Sequence, residues 1–135
     1  MSGERAPETL LEPFEQQPHT HARGRKAEAE AAAWLEAQGF EILDQNVMTE
    51  AGEIDLVARE GEVLCFVEVK ARASELYGAA IEAVDVRKQR RLARAAMLYL
   101  ARRNPAVACR FDVLGMDRQE TTWRFTLIRN AFEAG

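Results

Sequence analysis

Two acidic residues and a lysine lie in neighbouring strand-like segments of this chain, at a spacing that suits the binding of a metal ion. Asp55 lies in the strand-like residues 54–58, and Glu68 and Lys70 lie near the end of the strand-like residues 63–70. Because successive side chains of a strand point to opposite faces, Glu68 and Lys70 share one face, whereas they would diverge on a helix. The pattern predicts an acidic site on a β-hairpin.

The chemistry of this site follows from the repulsion between neighbouring carboxylates, which a divalent cation between them removes. Mg²⁺ or Mn²⁺ prefers oxygen ligands, so we expect Asp55, Glu68 and the Val69 main-chain carbonyl to bind one of these ions. Such an ion polarises a phosphate and lowers the pKa of an attacking water, while Lys70 would orient that water or stabilise the developing charge. The alternative is an ordinary surface ion pair between Lys70 and either Glu68 or Glu53.

The geometry of the hairpin decides whether these side chains meet. Residues Glu60 and Gly61 form the predicted turn. A two-residue loop there pairs Asp55 with Phe66 and places Asp55 diagonal to Glu68 on the same face. The other face of the second strand is wholly apolar, and it consists of Val63, Cys65, Val67 and Val69.

The flanking segments predict the elements that hold this hairpin. Residues 24–38 are rich in alanine and predict a helix ended by Gly39, with Trp34 and Leu35 available for packing. Residues 40–43 predict a short strand, and the polar residues 46–52 predict a loop.

A second helix is predicted from residue 86 to about residue 103, with Asp85 as N-cap and Asn104-Pro105 as the stop. Residues 74–84 favour neither helix nor strand. Residues 109–114 and 122–128 predict two more strands, so the order of elements favours an α/β fold with a mixed central β-sheet flanked by helices. The predicted apolar stripe of the second helix is Val86, Ala93, Ala96, Met97 and Leu100.

The charge is unevenly distributed. The whole chain has a formal net charge of −4, but residues 86–118 contain nine arginine or lysine residues and two aspartates. A polyanion responds to the local field, so this segment predicts a basic face for nucleic acid.

Composition also bounds the organisation of the chain. Residues 1–22 are rich in proline and glutamate and predict a flexible tail that is no signal peptide, followed by one domain over residues 23–135. No apolar run is long enough to span a bilayer. Cys65 and Cys109 form no metal-binding spacing and predict buried free thiols in a reducing cytoplasm. The two histidines, His19 and His21, lie in the predicted tail, so a serine or cysteine nucleophile lacks a base.

Six motifs follow one another along the chain. They are Gly24…Glu28, Gly52-Glu53-Ile54-Asp55, Phe66-Val67-Glu68-Val69-Lys70-Ala71-Arg72, Glu82-Ala83-Val84, Lys88-Gln89-Arg90-Arg91 and Arg110-Phe111-Asp112-Val113. Taken in this order, they resemble the YraN-like family of bacterial proteins. That family is similar to the PD-(D/E)xK nuclease superfamily and closest in its predicted fold to Holliday-junction resolvases.

The resemblance implies a restriction-endonuclease-like core in which Asp55, Glu68 and Lys70 are catalytic and Glu28 joins them from the first helix. Basic residues would contact backbone phosphates, and they are Arg72, Lys88, Arg91 and Arg94. Two positions depart from the family pattern. Ala27 replaces a usual glycine, and residues 46–51 lack the usual aromatic and basic side chains and include Glu50, which predicts weaker phosphate attraction.

These features favour a Mg²⁺- or Mn²⁺-dependent endonuclease acting on branched or otherwise structured DNA. A branched substrate would favour a symmetric homodimer. Two alternatives stay open at this point. One is a non-catalytic nucleic-acid-binding module with the same fold, and the other is a protein whose basic helix binds an acidic protein partner.

Overall fold

The computed structural model describes residues 18–72, 84–103 and 107–133, with two helices and five strands among them. In chain order the elements are α1 (Pro18–Ala37), β1 (Glu41–Thr49), β2 (Gly52–Glu60), β3 (Val63–Arg72), α2 (Val86–Ala101), β4 (Cys109–Gln119) and β5 (Thr122–Phe132). The predictions for residues 1–17, 73–83 and 104–106 lie outside the described residues, and they include most of the tail, the Glu82-Ala83 part of one motif and the Asn104-Pro105 stop.

The five strands form one sheet in the order β1-β2-β3-β4-β5. Strands β3 and β4 are parallel and the other three pairs are antiparallel. Helix α2 lies between β3 and β4 in sequence, because parallel neighbours need a crossover connection. The predicted α/β class with a mixed sheet is confirmed, and the arrangement is compatible with a restriction-endonuclease-like core.

Helix α1 covers one face of the sheet. Its buried residues Ala27, Ala31 and Leu35 recur at helical spacing. Trp34 stacks on Phe125 of β5, with ring centroids 5.0 Å apart. The strand residues buried beneath this helix are Leu56, Ala58, Cys65, Val67, Leu114 and Met116, with Val63 and Val69 partly buried beside them. The predicted apolar face of β3 is therefore confirmed.

Helix α2 covers the opposite face. Its core cluster contains Val57 and Phe66, which alternate along the strands with the residues beneath α1. Phe66 meets Tyr99 of α2 edge to face, with ring centroids 5.8 Å apart. The two helices thus enclose the central hairpin of β2 and β3 from both sides.

Strand β1 corrects the prediction of a loop over residues 46–52. The strand continues through Thr49 and pairs with β2 as far as Thr49 opposite Gly52, so that only Glu50 and Ala51 form the turn. Side chains of β1 alternate between partly buried and exposed along most of its length. Polar residues are tolerated here because β1 is an edge strand with much of its surface in solvent.

The start of helix α1 also differs from its prediction. Helix α1 begins at Pro18, six residues before the predicted start, so its backbone includes His19 and His21. Its end agrees with the prediction, since Gly39 adopts a φ of 104°, where glycine is favoured.

Helix α2 confirms its predicted N-cap, because the Asp85 side chain accepts a hydrogen bond from the Lys88 main-chain N–H. Its predicted apolar stripe is confirmed at Ala96, Ala93 and Leu100, the last two partly buried against the same core cluster, and is wrong at Val86 and Met97. Val86 is 55% exposed and Met97 is 68% exposed. The buried face is Leu92, Ala95, Ala96 and Tyr99.

Three further predictions have outcomes in the described part of the chain. Cys65 is buried as predicted, but Cys109 is exposed, because it is the first residue of β4. Strands β4 and β5 extend beyond residues 114 and 128 and pair with each other over most of their length. Among the described residues, no helix is both long and apolar enough to cross a membrane.

Candidate active site

The hairpin that carries the predicted site differs from its predicted register by two residues. Val57, not Asp55, is opposite Phe66, and the last pair toward the site is Leu56 with Val67. The turn is Gly61-Glu62, one residue later than predicted, and Gly61 has the positive φ of 64° that such a turn requires. Because a shift of two residues preserves the face of every side chain, Asp55 and Glu68 remain neighbours just beyond that last pair.

Asp55 is held against the backbone of β3. Its Oδ2 accepts a hydrogen bond from the Val69 main-chain N–H at 2.9 Å. Burial and then the charge of Glu68 raise the pKa of Asp55 to about 7, against the effect of the Val69 hydrogen bond. At neutral pH the metal-free site is therefore only partly ionised at this residue.

Three carboxyl groups converge beside the hairpin. Ligand oxygens of Glu28, Glu53 and Asp55 all lie within 4.8 Å of one another, and we call these residues the acidic trio. Burial, followed by the charges of Asp55 and Glu53, raises the pKa of Glu28 to about 9. Like charges at this distance disfavour ionisation, so Glu28 keeps its proton at neutral pH when no cation is present.

Helix α1 positions Glu28 through its neighbours. Ala27 and Ala31 are buried against the sheet, so the residue next to Ala27 lies at the margin of this contact. One of its carboxyl oxygens, Oε1, is buried and has no hydrogen-bond partner among the described residues. The structure therefore places Glu28 beside Asp55, as the family resemblance implies.

Glu68 lies on the other side of Asp55 and faces two lysines. It is 4% exposed, and its Oε2 lies 2.7 Å from Lys88 Nζ and 3.9 Å from Lys70 Nζ. Burial and then the neighbouring Lys88 lower the pKa of Lys70. Burial alone would lower the pKa of Lys88 too, but the hydrogen bond and charge of Glu68 outweigh it, so that the pKa of Lys88 is raised.

The donor set of the acidic trio fits a hard divalent cation. All three residues offer carboxylate oxygens, and one of these oxygens is buried without a partner. Burial, and then charge repulsion, raises the pKa values of Glu28 and Asp55, and a divalent ion among these carboxylates would compensate the repulsion. Of the metal ligands predicted from sequence, Asp55 belongs to this set, the Val69 main chain adjoins it, and Glu68 is engaged by Lys88.

Sequence reasoning did not assign Glu53 to the metal site. The signal was present, because Glu53 is two residues from Asp55 on the same strand and alternation directs the two side chains to one face. Lys88 was predicted only as a phosphate contact, whereas its ammonium lies inside the site. No spacing rule within the hairpin could reveal that contact, since Lys88 comes from α2.

A cleft of about 200 Å³ opens beside the trio on the α1 side. Acidic Glu28 and basic Lys70 and Arg72 all line it, together with the small residues Ala27, Val69 and Ala71. Arg72 is exposed at the end of β3. The cleft thus offers positive charge next to the candidate metal ligands.

The other predicted phosphate contacts lie along α2. Arg91 and Arg94 are exposed, and so are Arg87 and Arg90. The Arg91 side chain passes over the turn between β1 and β2, where a Cβ atom on Gly52 would lie 3.0 Å from Arg91 Cδ. Glu50, which was expected to weaken phosphate attraction, forms an exposed ion pair with Arg102 at 3.3 Å.

Comparison with known proteins finds a family and many relatives. The model of the family described as "Uncharacterised protein family UPF0102" matches residues 27–116. A UPF0102 protein of Symbiobacterium thermophilum is 49% identical over 113 residues, covering 82% of this chain and 96% of that protein. One from Chromohalobacter salexigens is 43% identical over 112 residues, covering 83% and 91%. A third, from Moorella thermoacetica, is 45% identical over 113 residues, covering 82% and 94%.

Proposed function

This chain belongs to the uncharacterised protein family UPF0102, which confirms the resemblance to YraN-like proteins, and we propose that it is a divalent-metal-dependent, endonuclease-like protein that hydrolyses DNA phosphodiesters. The observation that carries the proposal is the convergence of the acidic trio beside Glu68 and Lys70 at the edge of one hairpin. Perturbed carboxyl pKa values in such a cluster are typical of functional sites.

Each residue has a role that its surroundings support. Glu28, Glu53 and Asp55 would hold Mg²⁺ or Mn²⁺, with Glu68 next to them. The ion would supply Lewis-acid activation of the phosphate and of the attacking water. Lys70, whose side chain is largely buried beside Glu68, would donate hydrogen bonds to the phosphate oxygens as negative charge develops there.

The basic surface of α2 supports nucleic acid as the substrate. Between residues 87 and 103 the chain has seven basic residues and no acidic one. Such a surface attracts a phosphate backbone independently of base sequence. The resemblance to Holliday-junction resolvases favours branched or structured DNA, cut in the cytoplasm by a homodimer.

A non-catalytic nucleic-acid-binding module is the second candidate. The contact that favours it is the 2.7 Å ion pair of Glu68 with Lys88, because this pair occupies a carboxylate that a metal-dependent nuclease would use. In that case the basic surface binds DNA and the acidic trio contributes no turnover.

Cleavage assays separate these two functions. Labelled single-stranded, duplex and four-way-junction DNA would be incubated with the purified protein and Mg²⁺ or Mn²⁺. We expect cleavage by the wild type and a loss of about a hundredfold or more in Asp55→Asn and Lys70→Ala. Glu62→Gln, at the exposed turn of the same hairpin, serves as the matched control and should cleave normally.

The results that would contradict the nuclease are equally specific. Cleavage that persists unchanged in both site variants comes from a contaminant or from another site. Tight DNA binding without cleavage would indicate the non-catalytic nucleic-acid-binding module instead. Binding should weaken steeply as salt increases, and less steeply in Arg91→Ala/Arg94→Ala, because released counterions set that slope. Binding that is independent of salt would point to an acidic protein partner.

A further inference from the structure

The cation that lies nearest to Glu68 comes from outside the hairpin. Lys88 Nζ is 2.7 Å from Glu68 Oε2, whereas Lys70 Nζ, from the same strand as Glu68, is 3.9 Å from the same oxygen. The Glu68 carboxylate is almost fully buried. A buried carboxylate without a positive partner is costly, and Lys88 is the partner nearest to Glu68.

Helix α2 holds Lys88 in this position through two contacts. The Lys88 main-chain N–H donates to Asp85 Oδ1 at 2.9 Å, which fixes the residue in the first turn of the helix. Arg91 follows one turn later and passes over Gly52, the first residue of β2, next to Glu53. The start of α2 is therefore tied to the same end of the sheet as the acidic trio.

The two lysines differ in their access to solvent. The Lys88 side chain is 27% exposed and the Lys70 side chain is 14% exposed. A divalent ion bound at the trio and Glu68 would add to the two ammonium groups already facing Glu68. Lys88 already occupies Glu68 Oε2 at 2.7 Å, so an ion that takes this carboxylate as a ligand would lie directly beside the Lys88 ammonium, which it repels. Of the two lysines, Lys88 also has the wider path to water.

We propose that the Lys88 ammonium occupies the place beside Glu68 that a divalent metal ion would take, and that the ion and Lys88 exchange at this carboxylate. Loading the metal releases the Lys88 ammonium toward the surface, where it binds a phosphate of the substrate. This inference rests on the proposed metal-dependent function and adds a regulation of the same site. DNA that binds the released ammonium thereby favours metal binding, and by thermodynamic linkage the metal favours DNA binding equally.

Calorimetric titration with Mn²⁺ alone tests the exchange without measuring activity. Lys88→Met removes the charge and retains most of the side-chain volume, and we expect it to bind Mn²⁺ about tenfold more tightly than the wild type. Lys88→Arg keeps the charge and should bind like the wild type. Arg90→Met removes an exposed charge from the same helix, and it should change the affinity by less than about twofold.

A double-mutant cycle distinguishes exchange from repulsion at a distance. In a Glu68→Gln background the exchange has no carboxylate to act on, so adding Lys88→Met should give little further gain in Mn²⁺ affinity. Equal gains in both backgrounds would overturn the exchange, because repulsion at a distance does not depend on Glu68. Thermal unfolding of every variant confirms that each is folded.

The remaining outcomes separate this inference from the proposed function. If Asp55→Asn weakens Mn²⁺ binding but Lys88→Met leaves it unchanged, the metal site stands and the exchange is refuted. If neither the wild type nor Lys88→Met binds Mn²⁺, the metal-dependent function and the exchange both fail.

Discussion

Replacing Glu28 with glutamine should make the metal-free protein less sensitive to pH. Glu28 is partly buried beside Asp55 and Glu53, and these surroundings raise its pKa from 4.5 to about 9. Glutamine has the shape of the protonated side chain and cannot ionise. Glu28→Gln therefore removes a group whose ionisation opposes folding.

The sign and size of the effect follow from proton linkage. Between the two pKa values the folded chain binds one proton more than the unfolded chain at this residue, so stability falls as pH rises toward 9. One proton gives about 1.4 kcal/mol per pH unit, hence about 2.7 kcal/mol from about pH 6 to about pH 8. Solvent screening of the partly exposed side chain reduces this to about 1–2 kcal/mol.

Urea denaturation in the presence of a chelator measures this difference. Fluorescence is a suitable signal because Trp34 packs against the core and stacks on Phe125. We expect the wild type to lose stability between the two pH values, and Glu28→Gln to lose about 1–2 kcal/mol less. Asp55, with its pKa raised to about 7, adds a loss of the same sign in both proteins.

The matched control is Glu36→Gln, which changes an exposed glutamate of the same helix. It should keep the wild-type dependence on pH. Equal losses in the wild type and Glu28→Gln would refute the burial and charge repulsion assigned to Glu28. A wild type that is more stable at the higher pH would refute the expected direction of the pH dependence.

Two further variants test contacts away from the trio. Asp112→Ala should lower the free energy of unfolding by about 3 kcal/mol in urea denaturation, because the buried Asp112 accepts hydrogen bonds from Arg110 and from the Asn130 main chain. A loss below about 1 kcal/mol, which is the contribution of an exposed ion pair, would contradict this. Gly52→Ala should lower the free energy of unfolding by about 1–2 kcal/mol, because Gly52 has a φ of 138° and a Cβ atom there would press on the Arg91 side chain. An unchanged melting temperature would count against this contact.

The hairpin was the part of the site most accessible from sequence. Strand alternation predicted that Asp55, Glu68 and Lys70 would be neighbours, and this survived an incorrect register. A shift of two residues changes which residues face each other across the strands but leaves each side chain on its face. An error of one residue would have separated Asp55 from Glu68.

The contributions of the helices were less predictable. Glu28 and Lys88 reach the hairpin through tertiary packing of the two helices. No rule of residue spacing connects them with Asp55, because they lie far from it in sequence. The buried stripe of α2 was misassigned at Val86 and Met97, because alanines on several sides of the helix fit more than one face. Its position is set by large side chains, since Tyr99 meets Phe66 and so turns Met97 outward. Such a contact depends on the partner strand, which local periodicity does not contain.

The opposite end of the sheet shows what the same residue types do when they only stabilise a fold. There Glu60 receives hydrogen bonds from Arg129 and Arg110, which lower its pKa to about 2. Arg110 also binds the buried Asp112 at 2.9 Å. Both carboxylates of this network, Glu60 and Asp112, have a cationic partner, so the network needs no ligand to compensate its charge.

The acidic trio has a different arrangement. Its carboxyl groups face one another, the pKa values of Glu28 and Asp55 are raised, and the nearby lysines are directed to Glu68. A charge arrangement that costs stability in the metal-free chain is difficult to explain as part of the scaffold, since neutral side chains of similar size would fold better. A divalent cation would convert this cost into binding energy, and for that reason the trio, rather than the better-paired network around Asp112, is the place to look for chemistry.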